Sequence, residues 1–237
     1  MRPIYKRVLL KLSGEALAAQ SGFGFDAAKI NQIADEIKEI HDAGVEMGIV
    51  IGAGNIFRGA TAKGIDRAAG DTIGMVATAI NSLLLKEYLQ NRGTESRVLS
   101  AIDIPKAAEF FSGKRALHHL EKKRIVIIAG GTGNPYFTTD SAAALRCLEI
   151  RAEVLLKATK VDGIYDSDPV KNPGAKKFDS LRHSQALEKN LKIMDATAFS
   201  LCMEHAVPIV VFKLLEPGNL RKVIEGYPIG TIVKKGA

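Results

Sequence analysis

The chain has 237 residues, 46% hydrophobic and 25% charged, which excludes a disordered or fibrous protein and is typical of a single α/β domain. Its 33 lysines and arginines exceed its 26 aspartates and glutamates, giving a formal charge of +7, but the basic residues are scattered and form no stripe or tail for nucleic acid. Residues 1–11 contain no signal-peptide core and no stretch approaches a membrane span, so we expect a cytoplasmic protein that needs neither a membrane nor a nucleic acid.

The first fifty residues predict a strand, a helix and a second strand. Residues 8–12 are a short apolar run that ends at Ser13-Gly14, a pattern typical of a buried strand followed by a turn. Asp26 is a good helix N-cap, and isoleucines recur at helical spacing until Gly44. Residues 45–51 supply the next strand, so this unit is expected to be parallel and right-handed.

The alternation of helices and strands continues to the end of the chain. The patterns predict helices over residues 71–90, 106–121, 140–150, 184–188, 195–205 and after Pro217, and strands over residues 97–99, 124–129, 153–157, 208–212 and 231–233. Such alternation predicts an open, mostly parallel sheet with helices on both faces. Cys147 and Cys202 lie far apart, so we expect buried, reduced thiols and neither a disulfide nor a zinc site.

Glycine-rich loops follow three of the predicted strands, at Ser13, Gly52 and Gly130. Ligands of parallel sheets bind beyond the carboxyl ends of the strands, and exposed backbone N–H groups there bind phosphate, so the three loops are expected to face one crevice. The Gly52 loop is no dinucleotide fingerprint, because Phe57 stands where that motif needs a small residue. No P-loop motif is present in the sequence either.

Five segments resemble bacterial UMP kinases, which belong to the amino-acid-kinase family. Their order and spacing cover nearly the whole chain, and the run 132–140 is far more specific than any glycine pattern. The segments are Lys11-Leu12-Ser13-Gly14-Glu15, residues 52–59 with Asn55 and Arg58, Gly70-Asp71, residues 132–140 (TGNPYFTTD) and residues 157–165 (KATKVDGIY).

The resemblance implies a three-layer α/β/α sandwich with a mostly parallel central sheet, forming a single domain over residues 1–237. It implies a UMP-binding lobe over about residues 1–150 and an ATP-binding lobe over about residues 151–237. The implied activity moves the γ-phosphoryl group of MgATP to UMP in pyrimidine nucleotide biosynthesis, with Mg²⁺ carried by the nucleotide and not by a metal site of the protein. A homohexamer activated by GTP and inhibited by UTP is also implied.

The resemblance further assigns residues to three sites. The ATP side comprises Lys11, Leu12, Ser13, Gly14, Gly54, Arg58, Thr159, Tyr165 and Asp168. The UMP side comprises Ala53, Asp71, Thr132, Gly133, Asn134, Pro135, Tyr136, Phe137, Thr138 and Thr139. The segment that responds to GTP comprises Ala19, Gln20, Ser21, Gly22, Phe23 and Gly24. One departure is visible, because Ala53 stands where the family has glycine.

The chemistry of phosphoryl transfer suggests roles for the charged residues. Because the acceptor phosphate is already ionised, catalysis needs alignment and charge neutralisation more than a general base. The predicted catalytic cations are Lys11 and Arg58. Lys11 interrupts an apolar strand beside a glycine turn, and the alternative interpretation is that its ammonium group only reaches out to solvent. Asp140 is the third predicted catalytic residue, orienting a lysine or a metal-bound water, unless it only caps its helix.

Two further interpretations remain open for the UMP side and for the ATP side. Asp71 can accept hydrogen bonds from the ribose of UMP, or it can cap a helix, and Thr138 and Thr139 can contact the uracil edge or serve as caps. The segment 166–179 lies over the ATP base and ribose, or it is a surface loop.

Two other functions compete with a UMP kinase. One is a kinase of the same fold that acts on an amino-acid carboxylate or on carbamate, which would leave the run 132–140 unexplained. The other is a non-enzymatic nucleotide sensor or nucleic-acid-binding regulator, which only the positive charge supports.

Overall fold

The structure is a computed structural model that describes residues 1–57, 64–169, 171–189, 191 and 193–236. The strands are β1 Arg7–Leu12, β2 Glu46–Ile51, β3 Ser96–Ser100, β4 Glu109–Phe110, β5 Ile125–Ala129, β6 Val154–Thr159, β7 Ile164–Tyr165, β8 Lys177–Phe178, β9 Ser180–Arg182, β10 Ile209–Lys213 and β11 Thr231–Lys234. The α-helices are α1 Ala27–Asp42, α2 Arg67–Gln90, α3 Gly113–Glu121, α4 Thr139–Glu149, α5 His183–Glu188, α6 Ala196–Glu204 and α7 Asn219–Ile224.

One sheet of nine strands runs through the domain in the order β4-β3-β5-β2-β1-β6-β10-β11-β9. Every neighbouring pair is parallel except β10 and β11, so β9 and β11 run opposite to the other seven strands. Strands β7 and β8 form a separate antiparallel hairpin. The predicted mostly parallel sheet is confirmed, and its parallel strands place the carboxyl ends of β1, β2, β5 and β6 along one edge.

The sheet is buried on both faces by helices. On β1, Val8, Leu10 and Leu12 belong to a core shared with residues of α1, α2 and α7. Leu9 points to the opposite face, where the core is completed by residues of α3, α4, α5 and α6. Because successive side chains of a strand alternate between faces, β1 needs apolar residues at nearly every position. The three-layer α/β/α arrangement predicted from the sequence is therefore confirmed.

Two predicted helices begin at the wrong residue. Helix α2 starts at Arg67 and not at residue 71, because the Asp66 carboxylate caps it by accepting from the N–H groups of Ala68 and Ala69 at 3.0 and 3.4 Å. The helix predicted over residues 106–121 is confined to α3, since residues 109–110 pair with the edge of β3. The Ser112 side chain then caps α3.

Three strands that the sequence did not predict lie in the C-terminal half. Strands β7, β8 and β9 have only two or three residues each, too short for an alternating pattern to be visible. The Thr231 hydroxyl connects β7 and β8 to β11, because it accepts from the Ile164 N–H at 2.8 Å and donates to the Phe178 carbonyl. Strand β9 pairs with β11 directly.

Helix α2 also departs from the expectation that no segment approaches a membrane span. By length and composition alone it could cross a bilayer, yet 44% of its most apolar window is buried inside the domain. Its buried face packs against α1, β3 and β5. Both cysteines are buried and unpaired, as predicted, and burial raises the pKa of Cys202 to about 12.

Candidate active site

Two lysines lie side by side at the carboxyl edge of the sheet. Strands β1 and β6 pair in parallel with Lys11 opposite Lys157, so both side chains project from the face that α4 covers. Each lysine comes near the end of an apolar strand, where the chain is about to leave the sheet. The register of two central strands thus fixes the separation of two positive charges.

Asp140, at the start of α4, lies between these lysines. Its Oδ1 is 2.9 Å from Lys11 Nζ and its Oδ2 is 2.6 Å from Lys157 Nζ. The three side chains are only 12%, 16% and 13% exposed for Lys11, Asp140 and Lys157. Burial alone would raise the pKa of Asp140, but the two ammonium groups outweigh it and lower that pKa below its usual value. One ionised carboxylate therefore holds two cations.

The position of Asp140 comes from the capping of α4. Thr138, not Asp140, is the N-cap, and its hydroxyl accepts from the N–H groups of Asp140 and Ser141 at 3.1 and 3.2 Å. The interpretation of Asp140 as a simple helix cap is therefore wrong. Thr138 also donates to Asp195, which accepts from Ser141 Oγ at 2.9 Å and caps α6 through the Ala198 N–H. Asp195 thus ties the start of α4 to the start of α6.

Two cavities meet at Lys157 and Thr159. The lysine cavity, about 600 Å³, is lined by Lys11, Ser13, Lys157, Thr159, Lys160, Leu214 and neighbouring residues, including Ala19, Gln20 and Gly22. The hairpin cavity, about 540 Å³, is lined by Lys157, Thr159, Ile164, Tyr165, Asp168, Ile193 and neighbouring residues. Both cavities therefore border Lys157, and the lysine cavity also borders Lys11.

A third space, the threonine cavity, has a volume of about 400 Å³ and lies beside the start of α4. It is lined by Ala53, Gly54, Asp71, Thr132, Asn134, Phe137, Thr138, Thr139 and residues near them. Asp140 directly follows Thr139, so its ion pair with Lys11 connects the wall of this cavity to the wall of the lysine cavity. The three glycine loops thus line two neighbouring cavities, where one crevice was expected.

Close backbone packing explains the glycines of these loops. A Cβ at Gly14 would lie 2.6 Å from the Gly52 carbonyl oxygen and 2.6 Å from the Gly54 nitrogen, so only glycine lets the first two loops touch. At Gly133, φ is +84° and a Cβ would lie 2.9 Å from the Ala101 carbonyl oxygen. The loop geometry is therefore specified by residues that carry no side chain.

Asp71 lies in the second turn of α2 and holds the run 132–140 against that helix. Its Oδ2 accepts from the Tyr136 N–H at 2.7 Å and pairs with Arg67 Nε at 2.8 Å. Because Asp66 caps α2, the interpretation of Asp71 as a helix cap is wrong. Its carboxylate lines the threonine cavity instead.

The segment predicted to respond to GTP is joined to the Gly52 loop. The Gly24 N–H donates to the Asn55 carbonyl at 2.8 Å, and Asn55 Nδ2 donates to the Gly24 carbonyl at 3.0 Å. Asn55 and Asn81 are fully buried and exchange side-chain amide hydrogen bonds, and Asn81 also donates to the Gly52 carbonyl at 2.7 Å. A continuous polar chain therefore runs from this segment to the wall of the threonine cavity.

The structure brings most of the predicted site residues together. Lys11, Ser13, Thr159, Tyr165 and Asp168 line the lysine or hairpin cavity. Leu12 and Gly14 are buried beneath it, so only their backbone can serve a ligand. Gly54, predicted on the ATP side, lines the threonine cavity. Gly133, Pro135 and Tyr136 belong to the loop over the threonine cavity without lining it, and Arg58 lies outside the described residues.

Two charged residues of this site, Lys157 and Asp195, received no role from the sequence, although Lys157 begins the run 157–165. Lys157 carried the same signal as Lys11, a lysine at the end of an apolar strand. Asp195 is the first residue of the helix predicted over residues 195–205, a position at which aspartate is an ordinary cap, and nothing local reveals its bonds to Thr138 and Ser141.

Comparisons with known proteins agree with this geometry. Residues 6–213 match the amino acid kinase family. The crystal structure of UMP kinase from Bacillus anthracis is 42% identical, with a TM-score of 0.96 over 100% of this chain and 98% of that one. UMP kinase from Ureaplasma parvum is 39% identical, with a TM-score of 0.93 over 99% and 100%.

A more distant likeness is uridylate kinase from Archaeoglobus fulgidus, 27% identical with a TM-score of 0.73 over 95% of this chain and 99% of that one. The resemblance predicted from the sequence motifs is thereby confirmed. The chain belongs to the amino acid kinase family.

Proposed function

We propose that the protein is a UMP kinase, a nucleoside monophosphate kinase that transfers the γ-phosphoryl group of ATP to UMP. The observation that carries this proposal is the ion-paired set Lys11, Asp140 and Lys157 between the lysine cavity and the threonine cavity. The likeness over the full chain to UMP kinases of two bacteria supports the choice of substrates.

In this proposal the two substrates occupy different cavities. ATP lies along the lysine and hairpin cavities, with its base and ribose near Tyr165 and Asp168 and its phosphates toward Lys11 and Ser13. UMP lies in the threonine cavity, where Asp71 accepts from its ribose and Thr139 faces its uracil. Thr138 also lines this cavity, but its hydroxyl caps α4 and donates to Asp195. We also propose a UMP-binding lobe over about residues 1–150 and an ATP-binding lobe over about residues 151–237, although residues of both ranges line the lysine cavity and one continuous sheet joins them.

Catalysis in this arrangement is alignment plus charge stabilisation. The oxygen of the UMP phosphate is already anionic and attacks the γ-phosphorus of ATP in line, while the bond from that phosphorus to the oxygen bridging it to the β-phosphate breaks and ADP leaves. No side chain must therefore remove a proton. Lys11 stabilises the charge that develops on the transferred group, and Asp140 fixes the Lys11 ammonium at the cavity wall. Arg58 is a further proposed cation, from the sequence motif alone.

Mg²⁺ would be carried by the ATP phosphates. This ion prefers carboxylate and phosphate oxygens, but Asp140, the buried carboxylate at the lysines, is already shared by two ammonium groups. Among the described residues, no group of three or more carboxylate, histidine or cysteine side chains could hold a metal. When bound, Mg²⁺ would neutralise part of the charge on the phosphates.

We also propose a cytoplasmic homohexamer in pyrimidine nucleotide biosynthesis, activated by GTP and inhibited by UTP. An exposed apolar stripe supports self-association, because Ile73, Val76 and Ile80 on α2 are 41%, 49% and 46% exposed at helical spacing. The link from residues 19–24 to the Gly52 loop through Asn55 offers a route for the effector response.

A substrate panel tests the proposal. Purified protein with MgATP should consume ATP with UMP, more slowly with CMP or dTMP, and not with acidic amino acids or carbamate. Turnover with an amino acid and none with UMP would establish the related kinase instead. Nucleic-acid binding that weakens steeply with salt concentration, without ATP turnover, would show that the protein is a nucleic-acid-binding regulator.

A further inference from the structure

We propose that Asn81, a buried residue of α2, is a positioning residue that holds the Gly52 loop in the form that binds UMP. The inference rests on the function proposed above and concerns a residue outside every segment that resembles the UMP kinases. Asn81 is fully buried and lies three residues beyond Thr78, the last described residue of α2 that lines the threonine cavity. It therefore acts through the loop and not by touching the substrate.

The side chains of Asn81 and Asn55 form a reciprocal amide pair. Asn81 Nδ2 donates to Asn55 Oδ1 at 2.8 Å and to the Gly52 carbonyl at 2.7 Å. Asn55 Nδ2 donates back to Asn81 Oδ1 at 3.1 Å and to the Gly24 carbonyl at 3.0 Å. All four amide N–H donors thus have acceptors inside the protein. This pattern fixes the orientation of both amides and joins the backbone of the loop to α2.

The Gly52 carbonyl is the point at which the loop leaves the sheet. Strand β2 ends at Ile51, and the Gly52 N–H still donates to the Leu12 carbonyl at 2.9 Å. The Gly52 carbonyl is bonded to Asn81, and Gly14 packs directly against it, because a Cβ there would lie 2.6 Å from the oxygen. A buried carbonyl that loses its donor is costly. Without Asn81, we expect the loop to shift until this carbonyl finds another partner.

Such a shift would move one wall of the threonine cavity, because residues 53–54 directly follow Gly52 and line that cavity. The next glycine loop is also bonded to α2, since the Gly130 N–H donates to Thr78 Oγ at 2.8 Å. Thr78 and Asn81 are three residues apart and so share one face of the helix. One face of α2 therefore sets the positions of two loops of the proposed UMP site.

Ser82 provides a matched control on the same helix. It is fully buried like Asn81, and its Oγ donates to the Thr78 carbonyl at 2.8 Å. This bond stays within α2. Ser82→Ala therefore removes a buried hydrogen bond from the helix without releasing the Gly52 loop.

Steady-state kinetics with MgATP and UMP compares the wild type, Asn81→Ala and Ser82→Ala. We expect Asn81→Ala to raise the KM for UMP about tenfold, the effect of losing one well-made hydrogen bond, with less than about threefold change in kcat and in the KM for ATP. Ser82→Ala should lower the midpoint of thermal unfolding and leave all three constants unchanged. A role for Asn81 in stability alone would leave the ratio of the two KM values as it is in the wild type.

Hydrogen exchange tests the loop without relying on any activity. The N–H groups of Ile56 and Phe57 donate to the Ala53 carbonyl at 2.8 and 2.9 Å, so their exchange with solvent reports the local order of the loop. Mass spectrometry should show exchange over residues 52–57 that is about tenfold faster in Asn81→Ala than in Ser82→Ala. Exchange in β10, far along the sheet, should be the same in both variants.

Three results would overturn the inference: an unchanged KM for UMP in folded Asn81→Ala, equal rises in the two KM values, or exchange over residues 52–57 no faster than in Ser82→Ala. If Asn81→Ala does not fold, Asn81→Ser takes its place. The serine hydroxyl can bond a carbonyl within α2 but is one atom shorter than the amide, so it does not reach Gly52. Failure of the wild type to phosphorylate UMP would contradict the proposed function, and the exchange comparison would still decide whether Asn81 holds the loop.

Discussion

The backbone N–H of Tyr136 donates to the Asp71 carboxylate at 2.7 Å and thereby joins the run 132–140 to α2. Tyr136 has a φ of +72°, in the left-handed region that non-glycine residues seldom adopt. The bond to Asp71 thus supports an unfavourable backbone conformation in the loop that covers the threonine cavity.

Replacement of Asp71 by asparagine should weaken the binding of UMP much more than the binding of ATP. Asparagine keeps an acceptor oxygen but loses the charge that strengthens bonds to Tyr136 and to a ribose hydroxyl, so we expect the KM for UMP to rise about tenfold. The measurement is the KM for each substrate with the other saturating. Equal changes in the two KM values would show that Asp71 does not bind UMP.

Gly14→Ala should disrupt the contact between the first two glycine loops. The added Cβ would lie 2.6 Å from backbone atoms of Gly52 and Gly54, which cannot move without distorting the cavity walls, so we expect a loss of about 1–3 kcal/mol in the free energy of unfolding. Chemical denaturation measures this free energy of unfolding. Gly74→Ala is the control, since nothing lies within 4 Å of its Cβ, and a loss no larger than the control's would contradict the packing argument.

The sequence predicts the fold of this protein more fully than it predicts the candidate active site. Strands β1 and β6 each contain the run Val-Leu-Leu followed directly by a lysine, so both strands and Lys11 could be recognised locally. The two-residue β4 could not, because two residues show no alternation and the strand is defined by its pairing with β3. The neighbouring positions of Lys11 and Lys157 depend on the order of strands, in which β1 lies between β2 and β6. That order is a tertiary property, and the shared carboxylate of Asp140 follows from it.

The pH profile should carry a signature of Lys157. Burial, followed by the nearby Lys11 ammonium, lowers the pKa of Lys157 below its usual value, although Asp140 and Asp195 oppose the shift. A lowered pKa means that Lys157 loses its proton at a lower pH than an ordinary lysine does, so kcat should fall on the alkaline side as Lys157 becomes neutral. In Lys157→Arg the cation persists, and the alkaline limb should move to higher pH. If the alkaline fall in kcat stays at the same pH in Lys157→Arg, a group other than Lys157 causes that fall.

GTP should change the activity with UMP, and Phe23→Ala should weaken that response while basal turnover stays largely intact. Phe23 is 66% exposed within a segment that is joined to Asn55 at Gly24. We expect its ring to contact a neighbouring subunit in one state only. An effector acts by binding one state more tightly than the other. GTP titrations at fixed ATP and UMP measure the response, and Phe110→Ala, at a position 55% exposed, is the control. Identical titration curves for the wild type and Phe23→Ala would show that residues 19–24 do not mediate the response to GTP.

Lys11→Ala gives the most direct test of the central claim, that the cation between the two cavities stabilises the transferring phosphoryl group. The measurement is the formation of UDP from MgATP and UMP in a single turnover, followed by chromatography for both proteins, with circular dichroism to verify folding. We predict that the wild-type protein produces UDP and ADP in equal amounts and that folded Lys11→Ala does so at least about a hundredfold more slowly. Near-wild-type turnover by Lys11→Ala would contradict the account.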